Sequence, residues 1–174
     1  HEHNETDAAQ AVIGRLALGQ RVAYVSDAGT PAVSDPGAVL VLAVRTAGYR
    51  VLPIPGPSSM IAALSVAGDA LGRDFVFVGF LPTKAGERGE AVRQIAAETR
   101  ASVLFEAPHR IEALLRLLAQ VAPARHVTLC RELTKQFEEI ATLATQDFPA
   151  WLAHDSNRLR GEYALVLHPA EATV

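Results

Sequence analysis

Cysteine, methionine, tryptophan and lysine are all scarce in this chain, and each shortage narrows what it can be. The only cysteine is Cys130, so no internal disulfide can form, and its place at the end of the apolar run His126-Val127-Thr128-Leu129-Cys130 predicts a buried, inert thiol. No apolar run reaches the roughly 18 to 20 residues that a membrane span needs, and no basic-then-apolar leader opens the sequence; no membrane partner and a cytoplasmic location are the default expectations. Neither G-x-G-x-x-G nor a Walker A pattern occurs, which removes the two common nucleotide-phosphate sites. The net charge of -3 argues against a protein that coats nucleic acid without specificity. Positive charge comes from 14 arginines and two lysines. Arginine suits bidentate phosphate contacts, and genome composition produces the same bias. The opening His1-Glu2-His3 has metal-ligand residue types, but no third ligand is identifiable, so no metal is expected.

What remains is rich in apolar residues, at 49% of 174, enough for one large domain or two small ones. The pattern predicts helix 7–19, strand 21–26, helix 36–47, strand 50–54 and helix 58–67, the alternation of a parallel sheet. Asp35-Pro36 reads as an N-cap followed by proline in the first turn, Gly48 as a helix stop, and Ser58-Ser59 as a second cap. A glycine- and charge-containing connector near Gly68–Asp74 puts the domain boundary between 72 and 73, giving domains 1–72 and 73–174. The second domain predicts strand 75–80, helix 86–99, strand 102–106, helix 108–121, strand 126–131, a strand-like stretch 138–145, a short helix around Trp151 and strand 163–167. Ile111, Leu114, Leu115 and Leu118 share one buried helical face, and Phe75, Phe77 and Phe80 are expected in the core.

The most informative stretch is Ser26-Asp27-Ala28-Gly29-Thr30-Pro31-Ala32-Val33-Ser34-Asp35-Pro36-Gly37, set between a predicted strand and a helix. In parallel α/β sheets small ligands bind at that junction, and a glycine lets backbone amides approach them closely. A second loop, Pro55-Gly56-Pro57-Ser58-Ser59, follows the next predicted strand, and neighbouring parallel strands would bring the two together.

These loops, with Gly79-Phe80-Leu81-Pro82, Phe105-Glu106-Ala107-Pro108-His109-Arg110 and Arg131-Glu132-Leu133-Thr134-Lys135, run in an order that resembles the ribosomal RNA methyltransferases of the tetrapyrrole methylase superfamily, from His1 to about His168. The resemblance implies a tetrapyrrole methylase-like α/β fold of two domains, with S-adenosyl-L-methionine in the cleft between them. It also implies a homodimer and 2'-O-methylation of a cytidine ribose in 16S rRNA, on the RNA or the small ribosomal subunit. Family members begin with a further strand and a glycine- and proline-containing loop that nothing here matches, so the first domain reads as truncated at its N-terminus. By position, Ala28, Gly29, Thr30, Ser58 and Ser59 match the cofactor loops, while Glu106 and Leu133 would flank the adenosine; a glutamate at 106 departs from the apolar residue common in small-molecule methylases and can instead face RNA.

Attack by a ribose hydroxyl needs a proton acceptor, and the candidates by residue type are Asp27 and His109, with Arg110 to bind phosphate or steady charge. Each has a plain alternative: Asp27 as a loop brace, His109 as a solvent-facing residue at a helix start. Lys84, Arg88, Arg93, Arg131 and Lys135 form a candidate RNA-facing patch, or a solvated charged face. Two competing functions stay open: a methylase of a tetrapyrrole-like small molecule, and a non-catalytic cofactor-binding fragment.

Overall fold

The computed structural model of this chain describes residues 5–68 and 74–170. The chain divides into two compact units, 1–58 and 59–174. The sequence boundary at 72/73 and the His1/His3 pair lie outside the described residues. The division differs from that boundary by one helix, which packs on the sheet of the second unit.

In the first unit, helices α1 (Glu5–Ala17) and α2 (Ala38–Thr46) pack through Ala9, Leu40 and Val44, with Val12, Ile13, Leu16, Ala43 and Tyr49 around them. Both helices stop in the same way. The amides of Gly19 and Gln20 bond the carbonyls of Leu16 and Arg15, and those of Gly48 and Tyr49 bond Arg45 and Val44, with both glycines at positive φ (73° and 84°). The predicted strands 21–26 and 50–54 are extended but are not paired in a sheet among the described residues. Their apolar content is right, but a strand exists only where a neighbour takes its backbone groups; Val25 and Ile54 stand 80% and 81% exposed. The predicted cap at Asp35 is also replaced. Gly37 is the N-cap of α2, at φ 130°, and a Cβ there would lie 2.7 Å from the Tyr24 ring, so the position admits only glycine.

The second unit is built on a five-stranded sheet in the order β1-β2-β5-β3-β4, where β1 is Phe75–Phe80, β2 Ala101–Glu106, β3 His126–Arg131, β4 Glu139–Ala144 and β5 Tyr163–Leu167. Only β1 and β2 are parallel; the other three pairings are antiparallel, so the sheet is mixed rather than parallel. Helices α4 (Ala85–Ala97), α5 (Pro108–Val121) and α6 (Phe148–His154) cover one face through Val92, Ile111, Leu114, Leu115, Leu118 and Phe148 against Leu104, Leu129 and Leu165. Helix α3 (Ser59–Ala67) covers the other, with Ala63 and Ala67 against Val103, Cys130, Ala164 and Val166. Burial of β5 on both faces explains its unbroken run of apolar residues.

Strand β1 carries a bulge between Phe77 and Gly79, with Gly79 at φ 70°. The extra residue turns Phe80 onto the face of Phe77, so both rings meet Phe105 edge-on, at 5.2 and 5.7 Å. The aromatic set is therefore not all core: Phe75 and Phe80 are 41% and 53% exposed. Cys130 is buried as expected, and desolvation, with Glu138 adding to it, pushes its thiol up to about 11.

Candidate functional site

Ser26 organises the first loop, because its hydroxyl donates to the carbonyls of Ala28 (3.2 Å) and Gly29 (3.0 Å). Gly29 takes φ 70°, Ala32 71° and Ser34 57°, a run of left-handed residues that aims successive peptide groups in different directions. The hydroxyl of Thr30 donates to the carbonyl of Pro57 at 3.0 Å and ties the two predicted loops together within the first unit. Among the described residues, the amides of Ala28, Gly29 and Thr30 have no hydrogen-bond partner, and the same holds for the Ser58 hydroxyl and for that of Ser59, the first residue of α3. Asp27 is exposed and its carboxylate is unengaged among those residues, so bracing the loop falls to Ser26.

At the end of β2, Glu106 is buried, its side chain fully so. One carboxylate oxygen accepts the amide of Ala107 at 2.9 Å and lies 3.1 Å from Nε of Arg110 without hydrogen-bond geometry, while Oε2 has no partner. Arg110 in turn donates through Nη2 to the carbonyls of Leu81 (2.6 Å) and Pro82 (3.2 Å). The pair thus clamps the Gly79-Phe80-Leu81-Pro82 turn onto the start of α5, and both residues are turned inward. His109, beside them, is exposed, and Leu133 is half-buried against the core under α3.

The cations proposed for RNA scatter into different roles. Arg131 is buried, donating to the carbonyls of Arg160 (2.8 Å) and Phe137 (3.1 Å) with Glu139 at 3.6 Å, so it braces two loops rather than facing solvent. Lys135 bridges Glu162 (2.8 Å) and Glu132 (2.9 Å), and those bonds hold its pKa above the usual lysine value. Lys84 pairs with Glu87 at 3.1 Å and Arg93 with Glu90 at 2.8 Å, all exposed, while Arg88 has no ion pair among the described residues.

Two structural devices had no counterpart in the sequence reading. Arg125 is buried and donates to the carbonyls of His168 (2.6 Å), Ala96 (2.7 Å), Glu98 (2.8 Å) and Ile95 (3.1 Å), closing the C-terminus of α4. Glu132 takes φ 51° and receives the Glu162 amide at 2.8 Å, packed so closely that a Cβ on Gly161 would lie 2.5 Å from its Cγ. An arginine two residues after the Ala122-Pro123 break is the one visible signal for the first; the second has none.

The model of the tetrapyrrole (corrin/porphyrin) methylases matches residues 1–148. A curated relative, the ribosomal RNA small subunit methyltransferase I of Neisseria meningitidis serogroup A, is 48% identical over 98% of this chain, which spans 58% of the relative's length. Among solved structures, the methyltransferase CobJ superposes with a TM-score of 0.69 at 24% identity, covering 95% of this chain and 72% of that one. A uroporphyrin-III C-methyltransferase from Thermus thermophilus complexed with S-adenosyl homocysteine gives 0.60 at 16% identity, with 94% and 73% covered. With the family model spanning most of its length and these folds superposing on nearly all of it, the chain belongs to the tetrapyrrole methylase family.

Proposed function

We propose that this chain is part of an S-adenosyl-L-methionine-dependent methyltransferase that modifies the 2'-hydroxyl of a cytidine ribose in 16S rRNA. The observation that carries the reading is the set of unengaged donors on two tied loops: the amides of Ala28, Gly29 and Thr30 and the hydroxyls of Ser58 and Ser59. A zwitterionic amino-acid tail and a ribose need a few fixed donors, and backbone amides supply them with little reorganisation, so the residues fit the cofactor. The 48% identity to a protein named for rRNA methylation directs the substrate assignment to RNA rather than to a tetrapyrrole.

S-adenosyl-L-methionine, when bound, supplies an electrophilic methyl group. The chain's own part is to hold the cofactor, place the acceptor oxygen and take its proton, and placement alone removes much of the barrier. Asp27 is the base we assign, since it stands on the same loop as the free amides with its carboxylate unengaged; exposed His109 is the second choice. Arg110 acts through its clamp on Leu81 and Pro82, as a positioning residue. Within the second unit, Glu106 supports the Arg110 clamp, and Leu133 packs against the core under α3. A homodimer of the full-length product and a cytoplasmic location complete the reading; among the described residues no helix is long and apolar enough to cross a membrane.

Calorimetric titration of S-adenosyl-L-methionine and S-adenosylhomocysteine into the full-length product and into this chain tests it. Binding abolished by Gly29→Val, with methyl transfer to undermethylated small subunits, supports the reading. A full-length product that binds neither compound sinks it.

A further inference from the structure

Four arginines, Arg15, Arg21, Arg45 and Arg50, are the cations of the first unit, and all are exposed. Among the described residues none of them has an ion pair or a side-chain hydrogen bond. The second unit behaves differently: Lys84, Arg93, Arg100, Arg110, Arg116, Arg131, Lys135 and Arg158 each pair with a carboxylate. Arg88 and Arg160 of the second unit also lack an ion pair among the described residues, but only in the first unit is every described cation unpaired.

Chain path places all four at one end. The extended segment after α1 runs from the Gly19 stop to Tyr24, whose hydroxyl donates to the Pro36 carbonyl at 3.0 Å, beside the start of α2. The segment after α2 runs from the Gly48 stop to Pro57, which accepts the Thr30 hydroxyl at 3.0 Å. Both segments therefore start at the end of the unit opposite the two loops. Arg21 and Arg50 each stand two residues past a stop glycine, while Arg15 and Arg45 occupy the last turns of the helices. The described acids lie at the other end: Glu5 and Asp7 in the first turn of α1, Asp27 and Asp35 in the loop.

Attraction to the helix dipole accounts for a cation in a last turn, hence for Arg15 and Arg45. It does not account for Arg21 and Arg50, which lie beyond the helices. Between Arg45 and Arg50 the surface is hollowed into an open groove of about 360 Å3, completed by Gly48, Tyr49 and Val51. Guanidinium groups without carboxylate partners keep their bidentate donor edges free, and those edges match phosphate oxygens.

We propose that this end of the first unit is an RNA phosphate-binding surface, holding the sugar-phosphate backbone that flanks the methylated nucleotide. The proposal rests on the rRNA reading above. It assigns affinity for the polyanion to a part of the fold remote from the loops that carry the free amides, and it needs no base contacts, so the surface contributes binding without sequence preference.

The test is binding of the full-length product to undermethylated small ribosomal subunits across a salt series, for the wild type, the Arg45→Gln/Arg50→Gln and Arg15→Gln/Arg21→Gln pairs, and all four together. Each phosphate contact removed should lower the slope of log affinity against log salt by about 0.7, so the quadruple variant should lose about 2 to 3 and bind at least roughly 10-fold more weakly at low salt. S-adenosylhomocysteine affinity and Tm should be unchanged, and the corresponding lysine variants should keep most of the slope. A quadruple variant with wild-type slope and affinity, or one that loses Tm without losing slope, overturns the surface and leaves the functional reading intact. A wild type that binds no subunits overturns both.

Discussion

Arg125 holds four carbonyls that come from two separate stretches of the second unit, and its removal should be the most damaging single change in the molecule outside the apolar core. Nε reaches His168, Nη1 reaches Ile95 and Ala96, and Nη2 reaches Glu98, at 2.6 to 3.1 Å. Arg100 lies at the 3.5 Å limit of the same nitrogen and adds little. Hydrogen bonds to a charged donor contribute about 1.5–3 kcal/mol each, so the gross figure is about 6–12 kcal/mol. Burial of the guanidinium opposes this by several kcal/mol; the same desolvation lowers its pKa, though not enough to deprotonate it near neutrality. Arg125→Met keeps the stem's packing and removes every donor, leaving partly buried carbonyls at the end of α4 unpaired. The expected loss is about 3–5 kcal/mol, or roughly 6–20 °C in Tm. Arg125→Lys keeps the charge but cannot span the carbonyls with one ammonium, so it should lose about half as much. Urea unfolding followed by the fluorescence of Trp151, the sole tryptophan, reports on this unit. A midpoint for Arg125→Met within about 1 kcal/mol of wild type at unchanged m would refute the reasoning, because it would mean that water replaces the guanidinium at no net loss.

Gly161→Ala should destabilise by about 2–3 kcal/mol, since φ is 91° and the new Cβ would lie 2.5 Å from the Glu132 Cγ; Glu132→Ala in the same chain should recover part of that, and a strictly additive double mutant would contradict the clash. Stability should fall on the alkaline side: Tyr163, raised to about 12 by burial, Cys130, raised to about 11, and Lys135, raised by its two carboxylates, all hold protons longer folded than unfolded. The unfolded state then binds fewer protons, and stability declines as pH rises through roughly 9 to 12. On the acid side Glu132, lowered chiefly by the Glu162 amide, contributes stability that is present above its unfolded pKa and lost as pH falls through its lower folded value; Glu132→Gln should flatten the acid limb of an unfolding titration. The Cys130 thiol should resist a disulfide exchange reagent at pH 8 until urea unfolds the second unit; stoichiometric reaction of the native chain would contradict its burial.

Local pattern was enough for the elements whose signal is carried by their own residues. Helix α5 begins at Pro108 and shows Ile111, Leu114, Leu115 and Leu118 buried on one face, as the spacing requires. Strands β1, β3 and β5 have the bounds that their apolar runs suggest, and the glycine stop at Gly48 appears with the carbonyl bonds that such a stop makes. The motif order from Ser26 to Lys135 was sufficient to identify the family, because several short motifs in one fixed order are far more specific than any single loop.

Pairing and partnership were settled only in three dimensions. Residues 21–26 and 50–54 carry strand composition yet are unpaired among the described residues, since a ladder depends on a neighbour that composition cannot supply. Placement of β5 between β2 and β3 makes the sheet mixed, because sheet order is a long-range contact. Phe80 leaves the core through a bulge that one positive φ at Gly79 creates. The arginines make the point most sharply. Their residue type is the same at Arg45, Arg110, Arg125 and Arg131, but one is free at the surface, one clamps a turn beside a buried glutamate, and two close loops from within. A guanidinium reaches several ångströms from its backbone, so what it binds is decided by the elements that the fold brings within that reach and not by its neighbours in the chain.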